Sequence, residues 1–87
     1  MNSFNPNMPI HSALNALTTT ALHLSKNGYH IRKVHIDRHK AFLHIDGPLL
    51  EHGRPVPCEP HGEHYERAKY MGSWVLWNKM SSLSEVI

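Results

Sequence analysis

Histidine supplies nine of the 87 residues, and three of them fall with the only cysteine in one stretch rich in proline and glycine. His52, Cys58, His61 and His64 follow the spacing His-x5-Cys-x2-His-x2-His. Thiolate and imidazole are natural zinc donors, a Cys-x2-His step suits a tight knuckle, and Gly62 lets the backbone turn between two ligands. Zinc is the cofactor this donor set would hold. A solvated loop carrying the same side chains is the plainer account, and a single thiol in a spacing that matches no familiar zinc module favours it.

His30, His35, His39 and His44 form a second group, interleaved with Arg32, Lys33, Arg38 and Lys40 around Phe42. A basic ribbon with an aromatic ring set in it is suited to neutralise phosphates and stack a base. The same cations on a hairpin also serve solubility and edge protection.

Catalytic signatures are missing from the chain. It has no Gly-rich phosphate loop and no Gly-x-Ser-x-Gly elbow, and Glu63-His64 lacks the second histidine of His-Glu-x-x-His. Cys58 on a Pro-flanked loop reads as an inert thiol. The expectation is a binding protein, not an enzyme, because 87 residues make one modest core with little to support a catalytic cleft.

No apolar run reaches the roughly 20 residues needed to span a bilayer, and Met1 to Pro6 lacks the basic-then-apolar order of a signal peptide. One cysteine forms no internal disulfide, which fits a reducing compartment. The expected location is the cytoplasm. The net charge of +2 conceals an asymmetry: Lys26 to Lys40 carries five Lys or Arg against Asp37, a net of +4, whereas Asp46 to Glu66 carries five acids against Arg54, a net of −4.

The elements that must position these residues follow from periodicity. Ile10, Leu14, Leu17, Ala21 and Leu24 lay one apolar stripe along a helix of about four turns, widened by Ala13 and Leu22. Asn7 or Ser12 suits its N-cap, Pro9 its first turn, and Asn27-Gly28 its left-handed stop. Tyr29 to Ile36 and Ala41 to Ile45 then read as a hairpin around Asp37-Arg38-His39-Lys40. Placing Ile36 opposite Ala41 sets Val34 against Leu43 on the core side, with His35 against Phe42 and Lys33 against His44 on the other. Ile31 breaks the alternation, which predicts a bulge near Arg32-Lys33.

Residues 47–63 carry four prolines and three glycines and read as a long loop. His64 to Met71 is expected to form a short helix stopped at Gly72, and Trp74 to Trp77 a strand buried on nearly both faces. One domain covers 1–87, with an ordered core at about 9–79 and mobile ends at 1–8 and 80–87. The expected fold is α+β in the order α-β-β-α-β: a three-stranded, mostly antiparallel sheet with the long helix across one face.

Trp74 and Trp77 have opposite parity on that strand, so one joins the helix-covered side and the other joins Phe42 and His35 on the second face. A single helix leaves that second face open. A contiguous aromatic patch there is unusual for a monomer, and tryptophan and tyrosine commonly anchor interfaces.

A helix, then Gly28-Tyr29-x-Ile31-x-x-Val34-x-Ile36, a strand ending near Gly47-Pro48, and Tyr65-x-x-Ala68 leading to Gly72-x-x-Val75-x-Trp77 together resemble small accessory proteins from tailed-phage and prophage early regions. The resemblance spans most of residues 10–78. It implies a protein of a bacterial host cell that binds and alters a host protein or nucleoprotein complex, for instance a defence complex, and it carries over no catalytic residue.

Three readings follow. Protein–protein contact, with self-association, would use His35, Phe42, His44 and either Trp74 or Trp77. Nucleic-acid binding would centre on Arg32, Lys33, Arg38 and Lys40. A zinc-stabilised loop would use His52, Cys58, His61 and His64.

Overall fold

The computed structural model describes residues 8–79. The ends expected to be mobile lie outside the described residues, save Met8, which begins helix α1 (Met8–Lys26). Seven strands follow: β1 (Ile31–Asp37), β2 (Lys40–Ile45), β3 (Leu50–Glu51), β4 (Arg54–Pro55), β5 (Glu59–His61), β6 (Tyr65–Tyr70) and β7 (Ser73–Asn78). Five of them form one sheet in the order β1-β2-β7-β6-β5, and β3 and β4 make a separate two-stranded ribbon.

Helix α1 stops where its sequence directs. Gly28 takes φ 85°, its amide donates to Ser25 O, and the Tyr29 amide donates to Leu24 O at 3.0 Å. These two bonds form a Schellman stop, and Tyr29 packs against the core cluster that contains Leu24, as commonly accompanies the motif. The buried stripe differs from the expected one. Ala13, Thr20 and Leu24 are inward, while Ile10 and Leu14 are exposed. Thr20 is drawn in by polar partners: Oγ1 lies 3.2 Å from both Met71 O and Ser73 Oγ, across the β6–β7 turn.

The β1–β2 hairpin keeps the expected register, with Ile36 opposite Ala41, Val34 opposite Leu43, His35 opposite Phe42 and Lys33 opposite His44. The register shifts between Ile31 and Lys33, at the expected bulge. The turn is tighter than four residues: Asp37 pairs with Lys40, and Arg38, at φ 61°, takes the left-handed corner.

Elsewhere the expected α-β-β-α-β layout with three strands is overturned. Residues 65–70 form β6 and not a helix, and the stretch read as a loop supplies β3, β4 and β5. The sheet is mixed, because β7 runs parallel to β2, pairing Phe42 with Trp74, Leu43 with Val75 and His44 with Leu76. The physical reason lies in β6's two neighbours. Glu66, Arg67, Ala68 and Lys69 are good helix formers, but two isolated turns are marginal, whereas a strand here pairs with β5 on one side and β7 on the other.

The core fills the space between α1 and one sheet face, where Leu24, Leu43, Ile45, Leu49, Ala68, Val75 and Trp77 pack together. The strand pairings place Lys33, His35, Phe42, His44, Tyr65, Arg67, Lys69, Trp74 and Leu76 on the opposite face. No helix is long and apolar enough to cross a membrane among the described residues.

Candidate functional site

Parity decides where each tryptophan goes. Trp77 turns toward α1, is 2% exposed, and its indole N–H donates to Glu66 Oε1 at 3.2 Å. Trp74 turns to the open face, beside Phe42 across the parallel β2–β7 pair. Of the residues expected at a contact surface, His35, Phe42, His44 and Trp74 share one face, and Trp77 belongs to the core.

Planar groups are layered on that face. The His35 ring lies flat on Phe42, with centroids 4.9 Å apart and planes 10° apart. The His44 ring meets Tyr65 edge to face at 5.8 Å. The Arg67 guanidinium carbon sits 4.5 Å from the centre of the Trp74 ring, and Lys69 Nζ lies 5.0 Å from the same centre. Such cation–π contacts are worth about 0.5–1 kcal/mol when exposed. Arg67 is further held by Glu59 at 2.9 Å, and its Nη1 lies 3.4 Å from His61 Nδ1. His61 in turn stands 6.5 Å from Phe42.

This layering changes the character of the face. The aromatic side chains of this face need a cover, and the sheet's own side chains supply it: Phe42 is only 9% exposed and Leu76 1%. Imidazoles and long cationic side chains roof the apolar rings, so the outermost layer is polar and planar. By strand register Lys33, Lys40, Arg67 and Lys69 share this face with two acids, Asp37 and Glu59. Burial, then the nearby His35, Lys33 and His61, pushes the His44 imidazole below its ordinary pKa.

Two buried side-chain polar atoms lack a hydrogen-bond partner among the described residues, His44 Nε2 and Arg67 Nε. Both belong to this face. Native structures leave few such groups unpaired.

The remaining expected basic residues divide. Lys33 joins the face, Arg38 and Lys40 occupy the hairpin turn and its edge, and Arg32 is bound by Asp46 at 2.7 Å. That ion pair raises the Arg32 pKa further. Sequence reasoning missed Tyr65, Arg67 and Lys69, because it made β6 a helix, and it read His61 as a zinc donor in a loop where the structure has β5. The period-two alternation of Tyr65, Arg67 and Lys69 was the available signal.

The expected zinc donors are dispersed. His52 lies in the β3–β4 turn at φ 55°, Cys58 precedes β5, His61 turns to the open face, and His64 is exposed in the β5–β6 turn. No group of three or more His, Cys, Asp or Glu among the described residues is placed to hold a metal ion. Cys58 is exposed, and partial desolvation together with the nearby carboxylate of Glu66 pushes its thiol above the ordinary pKa. His52 instead lines a cleft of about 430 Å³ at the C-terminal end of α1. There Tyr70 Oη and His23 Nε2 lie 2.9 Å apart. Burial and the nearby Glu51 and Tyr29 push the Tyr70 phenol upward.

Compared with known proteins, the chain matches no family model, no curated protein and no solved structure.

Proposed function

We propose that the open sheet face binds single-stranded nucleic acid by stacking bases on its planar side chains and pairing phosphates with its cations. One observation carries this reading: His35 on Phe42, Arg67 on Trp74 and Tyr65 beside His44 form three planar stations across four neighbouring strands. Bases stack on aromatic rings and on guanidinium planes alike, with little regard for sequence. Lys33 and Lys69 flank the stations as phosphate partners. The resemblance to phage accessory proteins is compatible with action on a host nucleoprotein complex.

Fluorescence anisotropy of a labelled oligothymidylate, titrated at several salt concentrations, tests the reading. Two phosphate contacts, from Lys33 and Lys69, give a log–log slope of about −1.4 for a single strand. Binding that ignores salt, or absence of binding, overturns it.

A second reading concerns another surface. Met8, Ile10, Leu14 and Leu22 are exposed on α1, and Val34 is exposed on the helix side of edge strand β1. Ile10 and Leu14, one turn apart on α1, give an apolar surface that supports association with a second copy of the chain. Solution mass measured for the native protein and for Leu14→Glu tests it: a dimer that the substitution splits supports the reading, and a native monomer overturns it.

A further inference from the structure

The bulge in β1 has built a cleft at one end of the open face. In a regular strand consecutive side chains point to opposite faces, so Arg32 and Lys33 would part company. The register shift between Ile31 and Lys33 removes that constraint, and both cations line one cleft of about 470 Å³ together with His44, Asp46 and Tyr65. Its volume lies within the range of about 300–1,000 Å³ typical of small-molecule sites. Bulges commonly re-aim side chains in this way beside binding sites.

We propose that this cleft is a subsite for a nucleotide phosphate monoester, the end of a bound strand or a free mononucleotide; the proposal rests on the reading of the open face as a nucleic-acid surface. Arg32 and Lys33 supply two adjacent cations, and a phosphate monoester carries close to two negative charges at neutral pH. Arg32 is already oriented by Asp46 at 2.7 Å, in a pair whose side chains are 66% and 49% exposed. Water screens so exposed a pair, so a phosphate readily replaces the carboxylate on the guanidinium. The Tyr65 ring, 37% exposed and standing edge-on to His44, offers the base a surface within the same cleft. His44, whose buried Nε2 has no partner, forms part of the wall. The cleft shares Lys33, His44 and Tyr65 with the open face, so a strand stacked on His35 and Arg67 runs directly into it.

The acid in the cleft gives the test its sign. Asp46 competes with phosphate for Arg32, so Asp46→Asn should tighten phosphate binding, whereas loss of a merely structural ion pair would leave it unchanged or weaken it. Anisotropy titrations compare oligothymidylates bearing a 5′-phosphate, a 3′-phosphate or hydroxyls at both ends, with adenosine monophosphate as competitor. At least one phosphorylated end should bind about two- to five-fold tighter than the hydroxyl end, the range for one solvent-screened ionic contact. Arg32→Ala should abolish that preference and Asp46→Asn enlarge it. Lys69→Ala, on the far side of Trp74, should weaken all three oligonucleotides alike.

Equal affinity for all three in the native protein overturns the subsite while leaving the stacking surface intact. Monophosphate that binds where no oligonucleotide does retains the cleft and overturns the stacking surface. Absence of binding to any of these probes overturns both.

Discussion

His35 covers Phe42. Their rings are 4.9 Å apart and within 10° of parallel, and they are opposite partners in the β1–β2 ladder. The exposed imidazole therefore serves as the outer sheet of a two-ring stack, and the phenyl ring beneath it belongs to the packed structure. Substitution should separate the two roles. His35→Ala should weaken oligothymidylate binding by about 1 kcal/mol or more, the lower end for a base–aromatic stack, while the melting temperature stays within about 2 °C. Phe42→Ala should cost roughly 3 kcal/mol of folding stability, visible in chemical denaturation.

His44 makes binding and stability respond to pH with opposite signs. Its folded-state pKa lies below the ordinary value of about 6.5, so as pH falls through 6.5 the unfolded chain takes up a proton before the folded one does. Stability of the free protein should therefore decline below pH 6.5. A bound polyanion draws the pKa back up, so affinity should rise over the same window. The groups facing His44 here are Lys33, His35, His61 and Tyr65, and its own titration is isolated by His44→Gln. Melting curves and anisotropy at pH 7.5 and 5.5 check both signs, and the substitution should reduce both slopes.

Thr20 holds α1 onto the β6–β7 turn through a hydroxyl that is fully buried. Thr20→Val preserves the shape of the side chain and leaves Met71 O and Ser73 Oγ without that partner. The expected cost is about 1–3 kcal/mol. In a domain of this size each kcal/mol corresponds to about 4–8 °C in melting temperature, readily measured by calorimetry.

Although Cys58 is exposed, it should alkylate slowly at neutral pH, because partial desolvation of the thiol and the charge of Glu66 both disfavour its thiolate. The rate with iodoacetamide should climb as pH is raised toward 9 and above. Glu66→Gln removes the neighbouring charge, and it should accelerate the reaction at pH 7.5 by several-fold. An unchanged rate would show that Glu66 does not act on the thiol.

What was legible in the sequence was whatever local pattern alone determines. Alternation in Val34 to Ile36 and Ala41 to Leu43 determined the hairpin register, and the break at Ile31 located the bulge. Asn27-Gly28 marked the helix stop, and the parity of Trp74 and Trp77 divided them between the two faces. The rest depended on distant pairing. Glu66 to Lys69 prefer a helix locally, and only the flanking β5 and β7 make them a strand. Thr20 is a mediocre helix former by type, and only the β6–β7 turn, some fifty residues later, supplies the partners that bury it. The candidate site was half visible for the same reason. His35, Phe42, His44 and Trp74 come from strands read correctly, whereas His61, Tyr65, Arg67 and Lys69 come from β5 and β6.

Chemical-shift mapping of the isotope-labelled protein with unlabelled oligothymidylate tests the central claim most directly, because it locates the contact as well as detecting it. Saturable shifts concentrated at His35, Phe42, His44, Tyr65, Arg67, Lys69 and the Trp74 indole, with α1 unperturbed, are the predicted result. Shifts centred on α1, or none at oligonucleotide concentrations well into the millimolar range, would contradict it.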